Sequence, residues 1–539
     1  MARARRGHST RRCRATGLSA GTAGGSLARL GAGALAGLLL WSAFPPHDLW
    51  FCAPVALAAL ELATRQRPAA ESATTFLLFG IGLFAPLLHF TRVSMGNPIG
   101  WVALTVVESL YLAVLGAAWA LVSRALSHTT VRTVPVVRVG TFALLWCGVE
   151  ELRSSWPWGG FPFGRLAFAM AESPSLPLAA YGGSVGLSLL VALVGAVLAE
   201  GVLALRQRRA RAALACAAGA GALVLAPLAL PLACEAEEGT IRVAAVQGSV
   251  ARDDNAFARA LEVTGNHAEA TLELAQRTEP GTIDLVVWPE NAADRDPRQD
   301  EASAALVEDA AQAVGAPVLV GAVPYEEGAR YNDIIVWTAG EGAGSYYRKH
   351  RPVPFGEFIP WRGLIRAVTD QADRIGIDML AGTGPHTLTV RAATQERDVV
   401  LAVGICFEVA YDDVLRAGVR EGGGLILIPT NNASFIGSSE SAQQIAQGRV
   451  QAVVHGRSVV QVSTVGVTAV ISPTGTVEHR LDDGVQGALV ADVALRGSLT
   501  VADRLGPWPG RTVLTGAALL VGAGIVFHAR ARSRRRAGH

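Results

Sequence analysis

The sequence predicts two joined units, a multi-pass α-helical membrane domain and an extracytoplasmic α/β domain, and three observations predict them. Half of the 539 residues are hydrophobic and only 17% are charged, a balance that soluble globular chains rarely show. Apolar runs near the ~20 residues that a bilayer requires recur over residues 27–232 and return at 513–527. Between them, residues 241–503 alternate short apolar runs with helix-like stretches, as α/β domains do. The chain is also too long for one ordinary core. The net charge of +2 says little by itself; the placement of the arginines says more.

The N-terminus carries Arg3, Arg5, Arg6, Arg11, Arg12 and Arg14 ahead of an apolar run, Leu27 to Phe44. Further spans follow at once and no small-residue cleavage site intervenes, so this reads as a cytoplasmic tail and a first membrane helix rather than a signal peptide. Spans are expected at Leu49 to Thr64, Thr74 to Phe90, Trp101 to Val122, Val139 to Val149, Leu178 to Leu205, Ala212 to Leu232 and Val513 to Phe527, about eight helices in all. With a cytoplasmic N-terminus, the inside loops contain Arg65 and Arg67, then Arg124, Arg132 and Arg138, then Arg206, Arg208, Arg209 and Arg211, and last Arg530, Arg532, Arg534, Arg535 and Arg536. The outside loops are poor in arginine, as the positive-inside rule requires. Both termini are therefore expected in the cytoplasm and the large polar segment outside it.

That segment predicts strands at Ile241 to Gln247, Asp284 to Trp288, Pro317 to Val323, Asp333 to Trp337, Val399 to Ile405, Gly424 to Pro429, Val459 to Ser463 and Val467 to Ile471. Helices are expected at Phe257 to Arg277, Ala302 to Val314, Val409 to Arg420 and Ser441 to His455. The expected boundaries are a basic tail over 1–23, a membrane domain of about seven helices over 24–235, the α/β domain over 236–505, and a final helix with its basic tail over 506–539.

Of the six cysteines, Cys406 alone falls inside the α/β domain. It follows the apolar run Val399 to Val403 and the turn residue Gly404, so its sulfur sits at the end of a buried strand. A buried free cysteine most often fills core space. In an oxidising compartment, however, an unpaired thiol is a liability unless it is buried or used. Glu290 closes a second apolar run, Leu285 to Trp288, at the end of a strand where many α/β folds bind ligands; alone it reads equally as a loop acid. Lys349 lies in Tyr346-Tyr347-Arg348-Lys349-His350-Arg351, where it reads equally as one of a basic surface run. Together a thiol, a carboxylate and an ammonium are what acyl transfer through a thioester requires: nucleophile, base and oxyanion stabiliser.

Trp288-Pro289-Glu290, then Tyr347-Arg348-Lys349 with Pro354-Phe355-Gly356-Glu357, then Gly404-Ile405-Cys406-Phe407-Glu408, resemble in order and spacing the triad of the nitrilase, or carbon-nitrogen hydrolase, superfamily. With Phe44-Pro45-Pro46 and Glu151-Leu152-Arg153 leading to Gly159-Gly160-Phe161-Pro162, the chain from about Gly31 to Phe527 resembles the apolipoprotein N-acyltransferase family. The resemblance implies a nitrilase-like α-β-β-α sandwich and an enzyme of the bacterial cytoplasmic membrane. Such an enzyme moves a fatty acyl chain from phospholipid to the α-amino group of a lipoprotein's S-diacylglyceryl cysteine, the last step of lipoprotein maturation. It also implies Glu290 as general base, Lys349 as oxyanion stabiliser and Cys406 as nucleophile, with Glu357, Glu408, Phe407, Asn431 and Asn432 supporting them. The chain departs from the family pattern at Phe407, where a tyrosine is common, at Asn432 and Ser434 in the loop after Pro429, and at Ser463-Thr464-Val465-Gly466, which lacks an asparagine.

The stretch Phe355 to Ile365 is apolar for a loop outside the membrane. Phe358, Trp361 and Ile365 are expected to dip into the outer leaflet and gate the access of lipid, with ordinary packing on the domain as the alternative. The expected partners are a phospholipid donor, a diacylglyceryl-modified lipoprotein acceptor and membrane lipids, for a monomer without cofactor. The eleven histidines show no ligand spacing, so no metal is expected. Gly422-Gly423-Gly424 lacks the lysine of a phosphate loop. The arginines follow the membrane topology rather than a nucleic-acid surface. Two rival readings stay open: a membrane-anchored amidase that passes its acyl group to water, and a transport or lipid-binding protein without chemistry.

Overall fold

The computed structural model describes residues 20–127, 134–250, 256–367, 369, 373 and 375–537. The expected N-terminal arginines, Arg3 to Arg14, and Arg132 lie outside the described residues. Among the described residues, five helices are long and apolar enough to cross a membrane: Ala69–Leu87, Ile99–Ser127, Leu176–Arg206, Ala210–Ala229 and Trp508–Arg534. The other expected spans are helices too. Leu27–Trp41 and Cys52–Thr64 are shorter apolar helices, and the segment expected at Val139 to Val149 is part of a 20-residue helix, Val134–Arg153. Small residues bring the first and third of the expected spans together. A Cβ on Gly37 would lie 2.0 Å from the Phe79 carbonyl oxygen, and one on Gly82 would lie 2.3 Å from that of Ala34. Backbones this close need glycine at the contact, as is usual where helices pack without a hydrophobic drive.

Among the described residues, the α/β domain contains fourteen strands. They are β1 Thr240–Gln247, β2 Leu285–Val287, β3 Val318–Ala322, β4 Tyr325–Glu326, β5 Ala329–Arg330, β6 Asp333–Thr338 and β7 Gly342–Arg348, then β8 Thr387–Ala392, β9 Arg397–Val403, β10 Leu425–Thr430, β11 Val459–Ser463, β12 Thr468–Ile471, β13 Val477–Leu481 and β14 Gly487–Ala494. Two six-stranded sheets result, ordered β14-β1-β2-β3-β6-β7 and β13-β12-β11-β10-β9-β8. Each has a parallel centre, with Val243 opposite Leu285 and Val286 opposite Val318 in the first, and Leu427 opposite Val403 and Ile426 opposite Val459 in the second.

Side chains that alternate along these strands build three apolar layers. Ile241, Val243 and Leu285 of one sheet meet Leu401, Leu427 and Val460 of the other between the sheets. Ala244, Val246 and Val286 face outward to Val307 and Ala311 of helix Glu301–Val314. Ile426 and Ile428 face outward to Leu415 and Ile445 of helices Asp412–Arg420 and Glu440–His455. The product is an α-β-β-α sandwich whose central strands are covered on both faces, which explains why they read as continuous apolar runs.

The sequence misplaces one helix and omits several strands. Instead of a helix from Val409, a 3₁₀ turn runs Cys406–Ala410 and the α-helix starts at Asp412. The turn forms because Cys406 sits at φ +54°, a left-handed backbone that ends the strand abruptly. The strands β7, β8, β13 and β14 lie at or near sheet edges, and exposed residues interrupt their apolar pattern.

Candidate active site

The sequence-predicted residues come from the ends of four strands. Glu290 follows β2, Lys349 follows β7, Cys406 follows β9 and Asn431 follows β10. The turn carrying Glu290 passes so close to β3 that a Cβ on Gly321 would lie 2.2 Å from the Pro289 carbonyl oxygen, so that position tolerates only glycine. Cys406 is 9% exposed, while Glu290 and Lys349 are 4% and 1% exposed.

Lys349 Nζ stands between two carboxylates, 3.1 Å from Glu290 Oε1 and 2.7 Å from Glu357 Oε1. Burial alone would lower the lysine's pKa, but Glu290 and Glu357 outweigh burial and hold the ammonium charged, above its ordinary value. Burial also raises the Glu357 carboxyl, opposed by Lys349 and reinforced by Glu290. The other Glu357 oxygen accepts the Val353 N–H at 2.6 Å. Burial pushes the Cys406 thiol up; Glu290 adds to the rise and Lys349 opposes it. The resting sulfur is therefore a thiol, and it needs a base at the moment of attack.

Glu290 is set up for that task. Its Oε1 accepts from Asn332 Nδ2 at 2.6 Å as well as from Lys349, and its Oε2 accepts the Asn431 N–H at 2.8 Å. A carboxylate offers about four acceptor positions, so these three bonds fix its orientation and leave one free. Glu408 differs. It accepts from Tyr347 Oη at 2.8 Å, Ile405 N at 2.7 Å, and both His350 N and Arg351 N at 2.8 Å. With every acceptor position occupied, Glu408 ties the Cys406 turn to the segment just after Lys349.

The positions that depart from the family pattern are filled coherently. Phe407 stacks on Phe163 with ring centroids 5.7 Å apart and lies 5.6 Å from Phe161, both from the loop that follows helix Val134–Arg153. That loop is held from below by Arg153, which donates to the Phe161 and Phe163 carbonyl oxygens and pairs with Glu108 at 3.2 Å. A phenylalanine suits this apolar surrounding. Ser463 Oγ donates to Asn432 Oδ1. Ser434 lies in a 3₁₀ turn, Ala433–Phe435, whose Phe435 packs edge-on against Phe90 with ring centroids 5.6 Å apart.

Of the expected lipid-gating residues, Trp361 is 66% exposed. Its ring lies 5.0 Å from Trp158, in the loop between membrane helices, and Phe355 lies 5.5 Å from the same Trp158. Phe358 and Ile365 are half-buried. Sequence reasoning missed Asn332, Gln444 and Glu440. Gln444 Nε2 donates to Cys406 Sγ at 3.5 Å, and Asn332 bonds Glu290. The adjacent polar pair Asn332-Asp333 ahead of the apolar run Ile334 to Trp337 was the one available signal for Asn332. Nothing marks Gln444 within its helix.

Residues 36–197 match the family model of the apolipoprotein N-acyltransferase N-terminal domain, and residues 242–499 match that of carbon-nitrogen hydrolases. The apolipoprotein N-acyltransferase of Mycolicibacterium smegmatis is 34% identical over 505 residues, covering 87% of this chain and 81% of that one. This chain belongs to the apolipoprotein N-acyltransferase family. The Azotobacter vinelandii relative of the same name is 31% identical over 521 residues, covering 92% of this chain and 94% of that one. Among solved structures, Nit3 of Saccharomyces cerevisiae, a nitrilase-superfamily member, aligns over 49% of this chain and 93% of its own with a TM-score of 0.36 and 16% identity. Membership of the family is consistent with the rest of the molecule: an N-terminal set of membrane helices and a carbon-nitrogen hydrolase domain in one chain.

Proposed function

We propose that this protein transfers a fatty acyl chain from a membrane phospholipid to the α-amino group of the S-diacylglyceryl cysteine of lipoproteins, with Cys406 carrying the chain as a thioester. The observation that carries the reading is the ammonium of Lys349, clamped between Glu290 and Glu357 and electrostatically coupled to Cys406.

In the first half-reaction Glu290 takes the thiol proton as sulfur attacks the ester carbonyl of the donor. Lys349 is an ammonium with three donors, two of them committed to carboxylates, and the third stabilises the oxyanion. Collapse breaks the ester C–O bond, and the departing lysophospholipid oxygen takes the proton from Glu290. In the second half the lipoprotein amine attacks the thioester and passes a proton to Glu290, the C–S bond breaks, and the proton returns to sulfur. Donor and acceptor thus use one site in turn, a ping-pong scheme. Glu357 holds the lysine, Glu408 sets the distance between the two strand ends, and Asn431 orients Glu290. Asn432 and Phe407 support the loop and the turn.

The enzyme acts on a membrane. A soluble enzyme would have to extract both acyl chains at ~0.8 kcal/mol per CH₂, a cost that mounting the thiol on the bilayer removes. The distribution of arginines supports about eight spans, cytoplasmic termini and an α/β domain on the extracytoplasmic face of the bacterial cytoplasmic membrane. We place the domain boundaries near residues 24, 236 and 506; the last two are supported by the lengths of chain between the apolar helices and the sandwich, while the first falls inside helix Ala20–Trp41. The contact of Trp361 and Phe355 with Trp158 supports a lipid gate at the interface between the two units, and no step requires a second copy, a metal or a cofactor. The test is transfer of a labelled acyl chain from phospholipid vesicles to a synthetic diacylglyceryl-cysteine peptide by the full chain. The wild type labels the peptide amine and Cys406→Ala does not; equal labelling by both would reject the proposal.

A further inference from the structure

The Cys406 sulfur has a second buried polar neighbourhood besides Glu290 and Lys349. Gln444 Nε2 reaches Sγ at 3.5 Å, and this amide cannot turn over. Its Oε1 already accepts from Thr430 Oγ1 and Asn432 Nδ2, each at 3.0 Å. Asn432 is fixed in turn. Its Oδ1 accepts from Ser463 Oγ, and its Nδ2 also donates to Glu440 Oε2 at 2.5 Å. Gln444 and Glu440 share one face of helix Glu440–His455, at positions i and i+4, and both are buried, Gln444 completely.

We propose that Glu440 positions the Cys406 thiol through Asn432 and Gln444 and, by its own charge beside the sulfur, sets how the reactivity of the thiol changes with pH. This rests on Cys406 being the reacting thiol. Gln444 stabilises the thiolate by donating a hydrogen bond to sulfur. Glu440 supplies the pH sensitivity. Burial pushes its carboxyl up to about 8, with Glu290 adding to the rise and Asn432 opposing it. The titratable groups acting with it are Glu290 at the end of β2 and Cys406 at the end of β9, with Lys349 beside Glu290. His47 and His89 line a cavity of about 500 Å³ that reaches Ser438 and Ser439 next to Glu440. At neutral pH the carboxyl is protonated and adds no charge beside the sulfur. Above its midpoint it becomes a second anion near Cys406, where it opposes thiolate formation. Neutral Glu440 is thus a condition for an easily ionised nucleophile.

The test uses the full chain in detergent and iodoacetamide as probe, with alkylation of the Cys406 peptide read by mass spectrometry from pH 6.5 to 9.5. It needs no lipid substrate, so failure of the acyltransfer reading would not affect it. The wild-type rate bends downward near pH 8. In Glu440→Gln the bend disappears, so the ratio of variant to wild-type rate starts near one and rises several-fold by pH 9.5. Gln444→Met, which keeps the volume and removes the donor, reacts several-fold more slowly at every pH and retains the bend. A Glu440→Gln ratio that stays constant with pH would mean a merely structural role and overturn the proposal. So would a Gln444→Met variant that reacts like the wild type. Should Glu440→Gln fail to fold, the bend in the wild-type profile decides, and a straight profile overturns it.

Discussion

The carboxylate of Glu408 accepts the backbone N–H of His350 at 2.8 Å, which joins the turn of the thiol to the strand of the lysine. The two residues are 58 positions apart in sequence and follow strands of different sheets, β9 and β7. The same carboxylate also accepts from Arg351 N and Tyr347 Oη, each at 2.8 Å, so Glu408 fixes the spacing of sulfur and ammonium through three bonds to the lysine segment.

Replacing Glu408 with glutamine keeps the shape but swaps two acceptor positions for donors, at least one of which faces a backbone N–H whichever way the amide turns. A charged hydrogen bond contributes about 1.5–3 kcal/mol, and a misplacement of about 1 Å costs roughly 10²-fold in rate. The expected result is a fall in kcat of about 10²-fold with little change in donor KM, together with a lowered melting temperature. Steady-state acyl transfer and thermal denaturation in the same detergent check it.

Lys349 neutralises two buried carboxylates, so Lys349→Met should remove acyl-enzyme formation and also destabilise the domain. Removing one partner of a buried ion pair costs about 3–5 kcal/mol. Adding Glu357→Gln to Lys349→Met removes the repulsion between Glu290 and Glu357 and should recover part of the melting temperature without recovering activity. Thermal denaturation of the single and double variants separates the structural from the chemical role.

Phe407→Tyr restores the residue that the family often carries, but here it would push a hydroxyl into rings contributed by Phe161, Phe163 and Tyr411. A buried hydroxyl without a partner costs about 1–3 kcal/mol. The variant should melt lower and gain no transfer activity. A faster or more stable variant would show that the pocket holds an acceptor for the hydroxyl.

Trp361→Glu together with Ile365→Glu should slow acylation by vesicle phospholipid several-fold. The melting temperature should stay within a few degrees, because Trp361 is largely exposed. Acylation by a short-chain, water-soluble ester should stay close to wild type. An equal loss on both donors would place the effect on the chemistry rather than on lipid access.

The strands β2 and β9 are legible because they are mostly buried apolar runs, each ending near a conspicuous residue, and Glu290 and Cys406 stand out for that reason. Lys349 follows the exposed edge strand β7, which has no such apolar run, and only the motif around it marks it. Gln444 and Glu440 do not stand out, since a polar residue in an amphipathic helix ordinarily faces water, and only the tertiary arrangement turns these two inward. The edge strands β13 and β14 were hidden by exposed residues. The helix expected from Val409 was misread because local periodicity cannot reveal that the Glu408 carboxylate pins the preceding turn.

The most direct measurement is the mass of the Cys406 peptide after the purified chain has been incubated with phospholipid and no acceptor. The account predicts an added fatty acyl mass on that peptide, removed when a diacylglyceryl-cysteine peptide is supplied, and absent from Cys406→Ala. An acyl group on another residue, or an adduct that persists in the alanine variant, would contradict it.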